Sequence, residues 1–238
     1  MNNNEIAVIM AAGMGTRMRP LTDEIPKPLV SINGQPMIES VICSLRQRGV
    51  GKIIIVTGYR NSDFEYLKSK YDDIELIHNP EYQIKNNLSS VFCACDRMKD
   101  HDCFICEADL LISDYSIFDR IYDRSCYFGR FVGGHSDDWV FYLDKKERII
   151  RICKGGDDVF NMVGLSYFKR DDTDILVQLI KDSYEKEGNE DLFWDEVVDR
   201  NLDKLDLGIQ EVNEKQICEF DTIEELAEAD PSYLRYLQ

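Results

Sequence analysis

The residues best suited to chemistry lie near the start of the chain, where the apolar run Ile6 to Met10 meets AAGMGTRMRPLTDEIPKPL, Ala11 to Leu29. Gly13 and Gly15 can adopt backbone conformations closed to other residues and so bring main-chain amides close to phosphate oxygens. Arg17 and Arg19 offer planar donors to an anion, and Lys27 adds a point charge. Pro26 and Pro28 flank Lys27, disfavour helix and hold its ammonium in an extended segment, while Pro20 stiffens the connection. A loop of this kind is suited to wrapping a nucleoside triphosphate. A tight strand-to-loop turn with solvated basic residues is the plainer alternative that glycine spacing alone leaves open. The pattern is neither the Gly-Lys-Ser/Thr phosphate loop nor the Gly-x-Gly-x-x-Gly dinucleotide fingerprint, which excludes readings based on either.

A second constellation follows the apolar run CFIC, where Glu107 and Asp109 flank Ala108. Two carboxylates at a strand end can face one crevice, and hard oxygen ligands suit Mg²⁺. Acidic residues in such places also simply solvate loops or cap helices. The eight cysteines read as reduced core thiols: Cys103 and Cys106 fall on one strand with opposite facing, and no paired knuckle or clustered histidine supports a metal site.

These groups need elements to hold them. Strands at Ile6 to Met10, Lys52 to Thr57, Ile74 to His78 and Asp102 to Cys106 alternate with helices at Pro36 to Arg48, Ser62 to Lys70 and Leu88 to Arg97, the pattern of a parallel sheet covered by helices. Such a sheet gathers Ala11, Gly58 and Asp109 at the carboxyl edge of its strands. From Cys126 to Phe168 the period changes to two, giving an antiparallel extension with turns at Asp144 to Arg148 and Gly155 to Asp158. Helices at Asp174 to Lys186 and Phe193 to Asn201, a strand at Leu205 to Ile209 and a closing helix at Asp221 to Tyr236 complete the chain. The fold class is therefore α/β, a Rossmann-like, mainly parallel sheet flanked by helices with an antiparallel extension. One domain is expected over 1–238, with a nucleotide-binding half at 1–125 and an acceptor-binding half at 126–238.

Composition narrows the function further. With 44% hydrophobic and 31% charged residues in 238, the chain can bury a large core and is neither disordered nor membrane-spanning. A net charge of −17 and a pI near 4.6 repel a polyanion, so no nucleic-acid partner is expected. The excess acid suits a substrate that carries an amine. No apolar stretch is long enough to cross a bilayer and MNNNEIAV is no signal peptide, so no membrane insertion and a cytoplasmic location are expected.

The ordered run AAGMGTRMRPLTDEIPKPLVSINGQPMIE resembles the signature of the sugar-phosphate-type nucleotidyltransferases. Within them the chain is similar to the bacterial CTP:phosphocholine cytidylyltransferases and the related 2-aminoethylphosphonate enzymes, over nearly its whole length. The resemblance implies the nucleotide-diphospho-sugar transferase fold and attack of a phosphate oxygen on the α-phosphorus of CTP. It implies Mg²⁺ held by Asp109 and Asp221, with Lys27 and Arg17 completing the catalytic set. Asp221 also starts an Asp-x-x-Glu run that reads as a helix cap. Nucleotide contacts are implied for Ala11, Ala12, Gly13, Gly15, Thr16, Arg17, Gly58, Tyr59, Asn87 and Ser90, although Asn87 and Ser90 would ordinarily read as caps.

For the acceptor, Trp139 and Trp194 align with aromatic positions of the phosphocholine enzymes, Lys154 with a lysine near the acceptor phosphate, and Asp195 and Glu219 supply charge opposite an ammonium. Each tryptophan alone reads more readily as core or domain-junction packing than as a ligand face. The expected acceptor is phosphocholine. The alternatives are 2-aminoethylphosphonate or phosphoethanolamine, then a sugar 1-phosphate, then a non-catalytic nucleotide-binding regulator. Phe193 and Cys218, where phosphocholine relatives carry tyrosines, weaken an aromatic cage.

Overall fold

The computed structural model describes residues 4–237. In chain order the first half comprises β1 (Glu5–Ala11), α1 (Leu21–Glu24), β2 (Ser31–Ile32), β3 (Gln35–Pro36), α2 (Met37–Arg48), β4 (Lys52–Thr57), α3 (Tyr66–Lys70), β5 (Ile74–His78), α4 (Leu88–Met98), β6 (Asp102–Glu107) and β7 (Leu110–Ile112). The second half comprises β8 (Ser125–Leu143), β9 (Ile149–Phe168), α5 (Arg170–Tyr184), α6 (Trp194–Asp199), β10 (Leu207–Glu211), β11 (Ile217–Glu219) and α7 (Ile223–Ala229). Seven strands form one sheet in the order β10-β8-β9-β6-β1-β4-β5. β1, β4, β5 and β6 run parallel, whereas β9 joins β6 antiparallel and pairs antiparallel with β8. The sheet thus runs unbroken through both halves of the chain.

β1 is apolar from Ile6 onward because helices cover both of its faces. Ile6 and Val8 pack with Val91, Ala94, Cys95 and Met98 of α4, and Ala7 and Ile9 pack with Ile38, Val41, Ile42 and Leu45 of α2 on the other side. Each helix presents its apolar residues three and four apart, as one buried face requires. Cys103 and Cys106 lie in these two opposite layers, as strand alternation dictates.

The long hairpin β8–β9 turns at residues 144–148 and bends again at 155–158, where Gly155 and Asp158 have positive φ. Beyond the end of β6, β9 passes so close to Glu107 that a Cβ at Gly164 would lie 2.6 Å from a Glu107 carboxylate oxygen. A small sheet, β7 with β11, puts Glu219 opposite Leu110, the neighbour of Asp109.

Several elements differ from their expected bounds. The 62–70 helix is a 3-10 turn at Asn61–Phe64 followed by α3, and Arg60 precedes it in the left-handed region. α5 begins four residues before the expected Asp174, where Asp171 and Asp172 favour a helix start. The late strand sits at 207–211, and the closing helix stops at Asp230 because Pro231 has no N–H to continue it.

The carboxyl ends of β1, β4 and β6 share one edge, and Gly58 locks the loops there. A Cβ on Gly58 would sit 2.7 Å from Tyr82 Cβ and 2.8 Å from the Ala12 carbonyl oxygen. Gly58→Ala is therefore expected to cost about 1–3 kcal/mol through overpacking, lowering the thermal midpoint by several degrees, on the order of 2–4 °C per kcal/mol in a chain of this size. Circular-dichroism melts of the two proteins check this, and an unchanged midpoint would contradict the close packing.

Candidate active site

The first loop leaves β1 at Ala11 and makes a 3-10 turn at Thr16–Met18 before α1. Gly15 has φ +60 and lies against Lys27, whose Cβ would be 2.9 Å from a Cβ at this position. Gly13 faces open space. The Thr22 hydroxyl donates to the Gly15 carbonyl at 2.8 Å, closing the loop on itself. Lys27 does not lie in the expected extended segment but opens a second 3-10 turn, Lys27–Leu29, whose buried Leu29 packs into the core beneath α2. Pro26 enters this turn with φ −54, as its ring requires.

This arrangement buries the Lys27 side chain to 8% exposure and places its ammonium between two carboxylates. Lys27 Nζ donates to Asp109 Oδ2 at 2.6 Å and to Asp221 Oδ1 at 2.7 Å. Burial opposes its charge, but the Asp109 and Asp221 partners prevail and raise its pKa above the ordinary lysine value. Burial likewise opposes ionisation of Asp221, and its hydrogen bond from Lys27 prevails there, holding it below the usual carboxylate range. Arg17, largely exposed, grips Asp221 with both terminal nitrogens at 2.8 and 2.7 Å. Such a bidentate fork is equally suited to a phosphate.

The expected double role of Asp221 is divided between neighbours. Thr222 is the residue that caps α7: its hydroxyl accepts from Glu225 N at 3.2 Å, and Glu225 returns to the Thr222 and Asp221 amides. The reciprocal cap of the Thr-x-x-Glu type thus begins one residue later than the Asp-x-x-Glu reading, and both oxygens of Asp221 remain on Lys27 and Arg17.

Around these groups lies a wider acidic cluster. Carboxylate oxygens of Glu107, Asp109 and Glu219 come within 4.8 Å of one another. Burial and then the charge of Asp109 push Glu219 up to about 8, and burial with the charge of Glu219 raises Glu107 well above its ordinary value. Lys27 opposes these acids directly, and Arg17 reaches the neighbouring Asp221. An excess of hard oxygen donors converging on one point fits a divalent cation such as Mg²⁺. Asp109 is common to the expected pair and this trio, and Asp221 stands one ammonium away. Glu219, expected near the acceptor, joins this cluster.

A cavity of about 480 Å³ opens beside the carboxylates. Of the nucleotide-contact candidates, Ala11, Ala12, Gly13, Gly15, Thr16, Arg17, Asn87 and Ser90 line it, together with Lys27, Asp109 and Asp221. Gly58 and Tyr59 stand behind the loop instead, with Tyr59 N donating to the Ala12 carbonyl and its hydroxyl to the Thr22 carbonyl, each at 3.0 Å. The cavity adds residues that the sequence did not single out, Asn79, Tyr82, Lys85, Asn86 and Ser89. Asn79 is buried and donates to the hydroxyls of Ser89 and Ser90 at 2.8 and 3.2 Å, so the pair is set by one amide. The only available signal was Asn79-Pro80, a turn-forming pair just after β5.

The acceptor candidates separate into two groups. Trp139 stands opposite Lys154 in the β8–β9 ladder, with the Lys154 ammonium 5.7 Å from its ring centre and Phe193 tilted against it at 5.6 Å. Trp194 is core: 4% exposed, it stacks on Tyr127 at 5.7 Å and meets Phe168 edge-on. Beside it, Asp195 Oδ1 accepts from the Tyr127 hydroxyl at 3.0 Å. A hollow of about 10 Å³ lies between Glu107, Tyr127, Trp194 and Asp195, and shares Met10 and Glu107 with the large cavity.

Burial pushes Asp195 up to about 7 from 3.8, against the Tyr127 hydrogen bond. Between these values the folded protein holds a proton that the unfolded chain releases, so stability falls as pH rises through the window, by as much as about 4 kcal/mol. Asp195→Asn removes that loss. Its thermal midpoint relative to the parent is expected to be higher at pH 8 than at pH 5 by roughly 5 °C or more, and equal differences at the two pH values would contradict the assignment.

Residues 7–152 match the model of the MobA-like NTP transferase domain. The chain is 50% identical to a 2-aminoethylphosphonate cytidylyltransferase of Lancefieldella rimae, over 98% of this chain and 94% of the relative. It is 32% identical to a choline-phosphate cytidylyltransferase of Haemophilus influenzae, over 92% and 93% of the two chains. Its fold superposes on the CTP:phosphocholine cytidylyltransferase of Streptococcus pneumoniae with a TM-score of 0.87 at 29% identity, covering 96% of this chain and 99% of that one. Among the described residues no helix is long and apolar enough to cross a membrane.

Proposed function

The chain belongs to the MobA-like NTP transferase family and is a nucleotidyltransferase, and from that premise we propose that it transfers CMP from CTP to 2-aminoethylphosphonate, releasing pyrophosphate. The observation that carries the acceptor is the 50% identity over nearly the full length of both chains to an enzyme named for that phosphonate, against 32% to the choline-phosphate enzymes. The phosphocholine expectation gives way to its alternative on this ground.

The site supplies a physical reason in the same direction. A hollow of about 10 Å³ flanked by Glu107 and Asp195 has room for one water-sized group. A primary ammonium is of that size and donates three hydrogen bonds to carboxylates, whereas a trimethylammonium is far larger and donates none. Trp194, one of the two aromatics expected to face a quaternary head, has its ring stacked in the core.

A phosphonate oxygen of the acceptor attacks the α-phosphorus of CTP, the new P–O bond forms, and the bond to the β-phosphate oxygen breaks as pyrophosphate leaves. No protein nucleophile is needed, so positioning and charge stabilisation do the work. The 13–16 loop cradles the triphosphate, and Arg17 takes the side of the leaving pyrophosphate. The Lys27 ammonium, fixed by burial, neutralises charge growing at the reacting phosphorus. Asn79 sets Ser89 and Ser90 along the wall of the nucleotide cavity. Mg²⁺, held by Asp109 with Asp221, Glu107 or Glu219, would supply further neutralisation of the phosphate oxygens.

Pyrophosphate release from CTP, measured with 2-aminoethylphosphonate, phosphoethanolamine and phosphocholine in turn, tests the acceptor. Since a one-methylene mismatch in a fitted pocket costs roughly 10–200-fold, kcat/KM for the phosphonate is expected to exceed that for phosphocholine by at least about tenfold. Equal or better use of phosphocholine would overturn the proposal. Lys27→Ala is expected to lower kcat by about 10²–10³, the scale of one lost transition-state donor. Intact turnover with weakened CTP binding would show that Lys27 acts on the ground state alone.

A further inference from the structure

The wall between the nucleotide cavity and the acceptor half is a strap of three hydrogen bonds. Asn86 N donates to the Glu190 carbonyl at 2.8 Å, Asn86 Nδ2 donates to the Asp191 carbonyl at 3.1 Å, and Trp194 N donates to Asn87 Oδ1 at 3.0 Å. These bonds join the start of α4 to the segment that delivers Trp194 and Asp195 into the acceptor hollow. The backbone of Asn87 is itself held, because its N–H donates to Asn86 Oδ1 at 2.7 Å.

Asn87 faces both ways. Its oxygen is committed to the first residue of α6. Its Nδ2 makes no hydrogen bond among the described residues, and Asn87 lines the nucleotide cavity. A carboxamide is planar and rigid, so a group that draws the nitrogen also aims the oxygen. The residue it aims is adjacent to Asp195, whose carboxyl flanks the hollow next to Glu107.

We propose that Asn87 is a positioning residue that couples the two substrates: a nucleotide acceptor atom taken by its Nδ2 fixes the amide, and its Oδ1 thereby fixes Trp194 and Asp195 for the acceptor's ammonium. This rests on the acceptor reading above and deepens it, since it makes acceptor affinity depend on nucleotide occupancy. By linkage the dependence is reciprocal.

The test uses the full chain as wild type, Asn87→Ala and Asn87→Asp. Calorimetry gives the Kd of 2-aminoethylphosphonate alone and in the presence of α,β-methylene-CTP with Mg²⁺, and steady-state assays give KM and kcat for both substrates. In the wild type the nucleotide analogue is expected to tighten 2-aminoethylphosphonate at least fivefold, the low end of ordinary coupling. In Asn87→Ala that factor falls to about one and the acceptor KM rises more than kcat falls, on the order of the coupling lost. Asn87→Asp keeps an oxygen for Trp194 N–H but replaces the free donor. Asn87→Ala, which frees Trp194 N–H, is expected to weaken the Kd of the acceptor alone, and Asn87→Asp to restore it while leaving the coupling factor near one.

Circular dichroism confirms that each variant is folded, and the aspartate variant decides the matter if the alanine variant is not. A wild-type factor of one, equal factors in wild type and Asn87→Ala, or a folded Asn87→Asp that restores nothing would overturn the proposal. Failure of the acceptor reading is a separate outcome: the wild type would then release no pyrophosphate with 2-aminoethylphosphonate, and coupling would be measured with whichever of the other two acceptors it uses.

Discussion

One buried ammonium ties this site together. Lys27 is contributed by the first loop, Asp109 by the segment after β6 and Asp221 by the junction of β11 and α7, and both carboxylates meet on a single Nζ. A lysine taken out of water is expensive unless paired, and removing either partner leaves charge stranded in a poor dielectric. The loop, the strand end and the C-terminal junction are therefore mutually dependent. Arg17, gripping the same Asp221 from the solvent side, extends the network to the mouth of the cavity. On the proposed function, phosphate oxygens entering there would compete with Asp221 for two cations already aimed at an anion. Little reorganisation is then required when charge develops.

Topology explains why these pieces converge. Parallel strands deliver Ala11, Thr57 and Glu107 to one edge, and the antiparallel β9, reaching past β6, walls that edge with Met162 and Gly164. The two-stranded β7–β11 sheet brings Glu219 beside Asp109. Acids from two distant parts of the sequence, 107–109 and 219, are thereby pressed together. Burial first, and then their mutual repulsion, raises the Glu219 and Glu107 carboxyls, and that repulsion favours any cation that enters.

The first loop was legible because its chemistry is written in contiguous letters: Gly15, Arg17 and Lys27 act within one short span. The parallel sheet was legible because strands buried on both faces leave continuous apolar runs. Asp221 was harder, since Asp-x-x-Glu and Thr-x-x-Glu overlap by one residue and local pattern cannot choose between them; only the distant Lys27 assigns Asp221 outward. Trp194 had no local sign of its burial, which depends on Tyr127 and Phe168 from the far hairpin. Glu219 was separated from Asp109 by more than a hundred residues, and only the pairing of β11 with β7 unites them. Asn79 and Tyr82 sit in an irregular segment where periodicity carries no information.

On the proposed acceptor reading, selectivity needs no dedicated cage. The large cavity and the small hollow meet at Met10 and Glu107, so an acceptor bridging them would place its anion toward the nucleotide and its amine toward Glu107 and Asp195. Both carboxyls are pushed toward the protonated form by burial. An ammonium with N–H donors reverses that penalty by pairing with the ionised acids, whereas a methylated nitrogen offers only diffuse charge at a longer distance. The same burial that makes these acids reluctant to ionise therefore makes the hollow responsive to hydrogen-bonding amines. On that proposal selectivity follows from desolvation and size, with the nearby aromatic rings serving chiefly to keep water out.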